Sequence, residues 1–295
     1  MNSLVTGGCG FIGSHIVDRL VSIGHNVRVI DNLSSGDGYT NPKAEYHNLS
    51  ITDYESIAKL FVNADNVFHL AAESKIGPCL DNPQKACETN FVGTCNVLQA
   101  SREENVKRFI YSGTSAVYGL ANKPPMKESM PNDCLNPYSL TKTSAEELVR
   151  MYNKLWGLNT ISFRYFNVYG ERQPESGQYA PVIAIFLKQL RDNTPLTIIG
   201  DGSQSRDFVY IDDVVDANML ALKTNNQSAF GEVFNIGSGK NISVLEIAKL
   251  ISDKYEFLPS RLGEAQDSLA DISKAKKLLE FNPLGEVSEW IKKKM

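Results

Sequence analysis

Histidine is scarce in this chain, and His15, His25, His47 and His69 all precede residue 70. Chemistry performed by the later chain must work without imidazole, which argues against a Ser-His-Asp hydrolase and against a histidine-ligated metal centre. Cysteine is also sparse. Cys9, Cys79, Cys87, Cys95 and Cys134 are odd in number and lack metal-like pairing, as expected of reduced thiols in the cytoplasm and of a protein without a metal site. Basic charge is not in excess: 30 Lys and Arg face 34 Asp and Glu, the net charge is -4, and the terminal "KKKM" reads as a solvated tail, so nucleic acid is not expected as a partner. No apolar run reaches the roughly 18 residues of a membrane span. The amino terminus enters a strand at once, without a signal-peptide pattern. What remains is an ordinary globular composition, 42% hydrophobic and 22% charged over 295 residues, enough for one large or two modest domains.

Internal repeats and low-complexity linkers are missing as well, but an alternation is present. Apolar, β-rich runs at 2–6, 26–31, 45–49, 66–72, 107–112 and 158–166 are separated by helical patterns at 11–23, 53–63, 83–104 and 138–156. That order predicts an α/β fold, a doubly wound parallel sheet with helices on both faces. After about residue 168 the texture changes. The polar "GERQPESGQYAP" is followed by shorter strands and by helical patterns near 181–192, 211–223, 243–254, 272–280 and 286–294. A smaller mixed α/β domain is expected there, over the carboxyl edge of the sheet.

The first strand runs into "TGGCGFIGSHIVDRL", where Gly8, Gly10 and Gly13 satisfy GxGxxG and Gly7 adds an overlapping GxxGxxG. Between a strand and an amphipathic helix, such glycines let backbone N–H groups approach a pyrophosphate. Asp31 closes the second strand. Its carboxylate suits the adenosine ribose hydroxyls and repels a 2′-phosphate, favouring NAD over NADP; the plainer role is a strand-end cap. Residues 1–168 are thus expected to form a Rossmann-type NAD-binding domain. Residues 169–295 would mainly bind a second ligand, with parts near 206–240 returning to the first domain.

Two tyrosine-lysine pairs occur at a spacing of four. Tyr39 and Lys43 have Pro42 between them, which disfavours helix. Tyr138 and Lys142 in "NPYSLTK" follow Pro137 at the start of a strong helical pattern that ends at Gly157, so both share a face. By itself the pair serves equally as two solvated first-turn residues. Upstream, "YSGTSAVYG" places Ser112, Thr114 and Ser115 at a strand end, where hydroxyls often only form turns. Glycine turn, strand-end hydroxyls and Tyr-Lys helix together resemble the extended short-chain dehydrogenase/reductases, the NAD-dependent epimerase/dehydratase family, over essentially the whole chain. The segments "HLAA", "NFVGT", "RYFNVYG", "GDGSQSRDFVYIDDV", "NIGSG" and "ADISKAKKLL" extend the likeness to its UDP-sugar 4-epimerase branch.

The resemblance implies Thr114, Tyr138 and Lys142 as the catalytic set. It also implies NAD contacts from Phe11, Ile12, Asn32, Ser35, Ser50, Ile51, Leu70, Ala71, Ala72, Asn90, Ser112 and Tyr165, beside Gly7, Gly10, Gly13 and Asp31. A UDP-sugar would meet Ser115, Asn167, Thr197, Ile199, Arg206, Arg261, Glu264 and Ser268, and the protein would be a homodimer through the helices near 83–104 and 138–156. The chain departs from the family at Ser50, where an aspartate touches adenine, and at Ser74, where a lysine stands, so that Lys75 does not simply inherit that role.

A phenol with an ordinary pKa near 10 needs roughly 4 kcal/mol of preference for phenolate to act as a base at neutral pH. Lys142 and oxidised nicotinamide are the expected sources of positive charge. Arg206 and Arg261 offer guanidinium forks to a diphosphate, or serve as surface ion-pair residues. In related dehydratases and decarboxylases an acidic residue stands where this chain has Ala116, which leaves oxidation and return at one carbon: 4-epimerisation of a UDP-hexose through a 4-keto sugar. A UDP-glucuronate epimerase, a nucleotide-sugar reductase and a noncatalytic dinucleotide sensor are the alternatives. By family likeness Ser268 borders the hexose, where tyrosine goes with substrates lacking an N-acetyl group; the plainer reading is that it begins the "SLADIS" turn.

Overall fold

The structure, a computed structural model, describes residues 1–36, 38–174, 181–259 and 266–295. Its main sheet contains β1 (Asn2–Thr6), β2 (Asn26–Asp31), β3 (Glu45–Asn48), β4 (Asn66–His69), β5 (Arg108–Thr114) and β6 (Thr160–Tyr165). The chain then leaves the sheet for β7 (Asn167–Tyr169), β8 (Leu196–Ile199) and β9 (Ser205–Tyr210), and returns as β10 (Glu232–Ile236) before β11 (Asn241–Ser243) and β12 (Tyr255–Leu258). The helices are α1 (Phe11–Ser22), α2 (Tyr54–Ala58), α3 (Ile76–Asp81), α4 (Pro83–Cys87), α5 (Thr94–Glu103), α6 (Pro137–Trp156), α7 (Val182–Arg191), α8 (Ile211–Lys223), α9 (Val244–Ile251), α10 (Ser273–Leu279) and α11 (Val287–Lys294).

Seven parallel strands in the order β10-β6-β5-β4-β1-β2-β3 make the main sheet, as the βα alternation predicts. Successive side chains of a strand point to opposite faces. Val5 therefore enters the core with Ile16 and Leu20 of α1, whereas Leu4 packs with Val97, Leu98 and Val149 on the other face. The winding direction reverses between β1 and β4, so their outgoing loops diverge and open a crevice at the strand carboxyl ends.

The second lobe combines a three-stranded β11-β9-β7 sheet with the parallel β12-β8 pair. Its core gathers Phe186, Ile198, Phe208, Ile247 and Trp290. Bridges from Ser205 to Asp267 and from Met126 to Ala270 tie a late segment across both lobes. Asp207, wholly buried, accepts from Ser238 N at 2.7 Å, Ser238 Oγ at 2.8 Å, and the amides of Gly239 and Ala270 at 3.0 Å each.

Three elements differ from the sequence pattern. The pattern at 83–104 is not one helix: a π-helical turn at Glu88–Gly93 separates α4 from α5. The helix expected at 53–63 starts on an Asp53 cap and tightens into a 3-10 turn over Lys59–Phe61. The strand expected at 66–72 ends at His69, because Leu70 and Ala71 donate their N–H groups to the Thr6 hydroxyl at 3.2 Å.

Candidate active site

A cleft of about 1080 Å³ opens at the crevice and runs from the glycine turn to the second lobe. That exceeds the roughly 300–1,000 Å³ typical of a pocket for one drug-sized molecule. Gly7, with φ +70, would place a Cβ 2.7 Å from Ala71 N, and a Cβ on Gly13 would lie 2.1 Å from the Gly7 carbonyl oxygen. Only glycine permits this packing. Gly10 caps α1 without a side-chain bond, and Phe11, Ile12 and Gly13 present the first-turn amides to the cleft. Asp31 holds the turn in shape, accepting from Cys9 N and Leu33 N at 2.9 Å each.

Asn32, Ser35, Ser50 and Ile51 continue the wall on this side, and Leu70, Ala71 and Ala72 form the wall after β4. Ser112 lies at the end of β5 and donates to the Tyr165 hydroxyl at 3.3 Å; Asn218 donates to the same oxygen at 2.9 Å. Asn90 is placed differently. It sits in the π-helical turn behind the wall, its amide spent on Glu73 N (2.8 Å), Glu73 O (3.1 Å) and Thr141 Oγ1 (3.0 Å). Its work is to pin the loop after β4 onto α6.

Helix α6 begins with Pro137 inside a capping box formed by Asn136 and Ser139, and ends on left-handed Gly157. Tyr138 thus joins Thr114, at the end of β5, in the lining of the same cleft. The Ala116 amide donates to Thr114 Oγ1 at 3.1 Å. Lys142 is buried one turn further on, its ammonium 4.3 Å from the centre of the Tyr111 ring. Burial lowers the lysine to about 7, against an upward pull from Glu146, which is itself held by Arg164 at 2.6 Å.

The expected depression of the phenol is absent from the protein alone. Burial raises Tyr138 above the ordinary phenol value, and the opposing pull comes from the Thr114 hydroxyl. The physical reason is desolvation, which acts on both groups and disfavours the charged form of each. His69 is fully buried between Thr6 at 2.6 Å and Thr94 at 2.8 Å, a bridge within the core.

On the far side the cleft is lined by Ser115, Asn167, Arg206 and Ser268. Asn167 donates to the Asp207 carbonyl at 3.0 Å, and Arg206 to the carbonyls of Ser205 at 2.9 Å and Gln266 at 3.2 Å. The Ser268 amide donates to the Ser205 carbonyl at 3.0 Å, which seats this late residue beside β9. Thr197 and Ile199 do not line the cleft: on β8 they alternate with the core residues Leu196 and Ile198, and Gln189 bonds Thr197 through Nε2 at 2.8 Å and Oε1 at 3.1 Å. Arg261 and Glu264 lie outside the described residues. Ser74 and Lys75 both line the cleft, as do Cys9, Tyr39 and Tyr118, and also Arg172 and Gln173, to which the sequence motifs assign no role.

Residues 3–237 match the family described as NAD dependent epimerase/dehydratase. A putative UDP-glucose 4-epimerase of Methanocaldococcus jannaschii is 39% identical, over 98% of this chain and 96% of its own length. Among solved structures, the UDP-glucose 4-epimerase of Thermotoga maritima with UDP-glucose superimposes with a TM-score of 0.93 at 37% identity, covering 99% of this chain and 96% of that one. The UDP-N-acetylglucosamine 4-epimerase of Methanobrevibacter ruminantium, in complex with UDP-N-acetylmuramic acid, gives a TM-score of 0.91 at 32% identity, covering 100% and 99%. With the glycine turn, the Thr-Tyr-Lys constellation and these full-length likenesses in agreement, the chain belongs to the NAD-dependent epimerase/dehydratase family, as an isomerase of the UDP-sugar 4-epimerase type.

Proposed function

We propose that this enzyme interconverts UDP-glucose with UDP-galactose, and UDP-N-acetylglucosamine with UDP-N-acetylgalactosamine, by inversion at C4. The observation that carries the reading is the gathering of Thr114 and Tyr138 in one cleft at the mouth of β5, with Lys142 buried one helical turn behind the tyrosine and the methyl of Ala116 where a carboxylate would serve elimination. The residues present fit NAD: first-turn amides and a glycine turn for the pyrophosphate, the Asp31 carboxylate for a ribose, and Lys142 for the second ribose. Bound NAD supplies a hydride acceptor that becomes the donor in the second half of the cycle, and so is regenerated.

Tyr138 as phenolate takes the proton of the sugar 4-hydroxyl, and Thr114 holds the same oxygen. The resulting 4-keto sugar turns over in the cleft, and Tyr138 returns the proton when C4 is reduced on its other face. Arg206 and Asn167 hold the UDP diphosphate end, and Ser268 leaves room for an N-acetyl group at C2. Lys142, whose charge Glu146 supports in part against its burial, favours the phenolate when protonated in the filled site.

We assign residues 1–168, with part of 206–240, to the cofactor-binding domain and the rest mainly to the sugar nucleotide. The described residues contain no helix long and apolar enough to cross a membrane, and the five cysteines are free, which supports a cytoplasmic location. Phe91 and Val92 before α5, and Leu140, Met151, Leu155 and Trp156 on α6, are exposed apolar residues that support a homodimer through these helices. The test of function is to incubate the purified protein with several UDP-sugars, without added NAD, and identify the products. Interconversion of C4 epimers is the expected result. Stoichiometric NADH release or an unchanged substrate would overturn it.

A further inference from the structure

The segment 171–174, directly after β7, is not used by the chemistry above, yet it joins three parts of the molecule. Glu171 fastens it to the second lobe, accepting from the Tyr210 hydroxyl at 2.8 Å and Trp290 Nε1 at 2.9 Å and pairing with Lys294 at 3.1 Å. Its carbonyl oxygen meets His15 Nε2 of α1 at 3.0 Å. Arg172 has φ +65, a conformation that residues with a side chain rarely adopt and that persists only where the surroundings over-determine it.

From that position the Arg172 guanidinium donates to Asp18 Oδ2 of α1 at 2.7 Å and lies 5.1 Å from the centre of the Tyr39 ring. Asp18 in turn accepts from Asn41 Nδ2 at 2.7 Å, and the Tyr39 amide donates to the Cys9 carbonyl at 2.9 Å, on the glycine turn itself. Gln173 is buried and lines the cleft. Its Oε1 accepts from Gly170 N at 3.4 Å, while its amide nitrogen has no hydrogen-bond partner among the described residues. Arg172, Gln173 and Pro174 on one side, and Gly38 and Tyr39 on the other, line the same cleft as Asp31 and the glycine turn.

We propose that residues 171–174 form a clasp closed over the bound dinucleotide: Arg172 locks it to α1 through Asp18 and to the adenosine-side loop through Tyr39, and Gln173 donates its amide N–H to an oxygen of the cofactor. This rests on the reading that NAD is held through turnover, and it adds what holds it. A cofactor threaded beneath the clasp leaves only when the Arg172 contacts open, so these residues act chiefly on the rate of release.

The test follows exchange of bound NAD for labelled NAD in the holoenzyme. Arg172→Ala is expected to accelerate release about tenfold, the combined scale of one partly exposed ion pair and one cation–π contact. Asp18→Asn should accelerate it less, Arg172→Lys should restore part of the retention, and the Arg172→Ala/Asp18→Asn pair should fall short of the product of the single effects. UDP affinity should stay within about twofold in all of them, which a general loosening of the fold would not allow. Raising the salt concentration should speed release from the wild-type enzyme and leave Arg172→Ala nearly indifferent, because screening acts on the pair. Release from Arg172→Ala within twofold of wild type overturns the clasp while leaving the epimerase reading intact if the protein still carries NAD and inverts C4. A wild-type protein that does not retain NAD overturns both.

Discussion

The two walls of the cleft are built by different means. Apart from Tyr138 and Lys142 on α6, the cofactor side is built at or just beyond the ends of parallel strands: the glycine turn after β1, Asp31 at the end of β2, Leu70 to Ala72 after β4, Thr114 at the end of β5. Parallel order alone delivers them to one edge. On the sugar side Arg206 and Ser268 are neighbours because the backbone of residue 268 bonds that of Ser205, and because Asp207 gathers three amides from two separate segments, 238–239 and 270. The first wall is a by-product of topology. The second depends on buried polar bonds between residues far apart in the chain, and can vary without disturbing the main sheet.

The difference can be broken at the point where the walls meet. Tyr138→Phe should lower kcat by about 10²-fold or more, the scale of a positioned acid-base group, while UDP-sugar binding persists. Steady-state rates and a binding isotherm check it, and near wild-type turnover would remove Tyr138 from the mechanism. On the sugar side, Ser268→Tyr should depress kcat/KM for the N-acetylated pair by tens of fold and largely spare the plain pair, since a clash discriminates only against the larger substrate. Equal losses on both pairs, or a wild-type enzyme inactive on N-acetyl sugars, would return Ser268 to a turn-forming role.

On the cofactor side, Asp31→Ala should weaken NAD retention about tenfold and reduce discrimination against NADP, as measured by competition between the two. Unchanged selectivity would leave Asp31 as the brace of the Cys9 and Leu33 amides. The smallest effect sharpens the electrostatics. Lys142 titrates at about 7 in the folded protein against 10.5 ordinarily, so below pH 7 both states carry the proton and the folded state bears the full cost of burying it. Between 7 and 10.5 the unfolded chain binds the extra proton, and stability rises with pH. Lys142→Met should therefore raise the Tm of cofactor-free protein by a few degrees at pH 6 and by less at pH 9, at the scale of about 2 °C per kcal/mol. Melting curves at the two values check the sign.

The cofactor wall was legible in the sequence because its signals are local: a strand, a glycine turn and a periodic helix lie within a few residues of one another. The Tyr138 helix was legible for the same reason, through Pro137 and Gly157. Other features leave no such mark. The π-helical turn that withdraws Asn90 from the cleft keeps the apolar texture of an ordinary helix while adding one residue to a turn. Arg172 and Gln173 stand in a polar loop whose composition says only loop. Thr197 and Ile199 sit in a short strand whose orientation is fixed by Gln189 and by pairing with β12, neither of them visible along the chain. The rise of the Tyr138 phenol is likewise a property of enclosure, which only the assembled packing creates.

The return of β10 to the main sheet has a mechanical consequence. After β7 to β9 the chain comes back through α8, which packs on α1, and through β10 on β6, then leaves again for β11. It comes back once more in α10, whose Ala275 and Leu279 join the first core. Two bodies laced together in this way are joined by several crossings of the chain rather than by one hinge, with β10 held to β6 over a five-residue register. An opening at any one linker would therefore have to carry the other crossings with it.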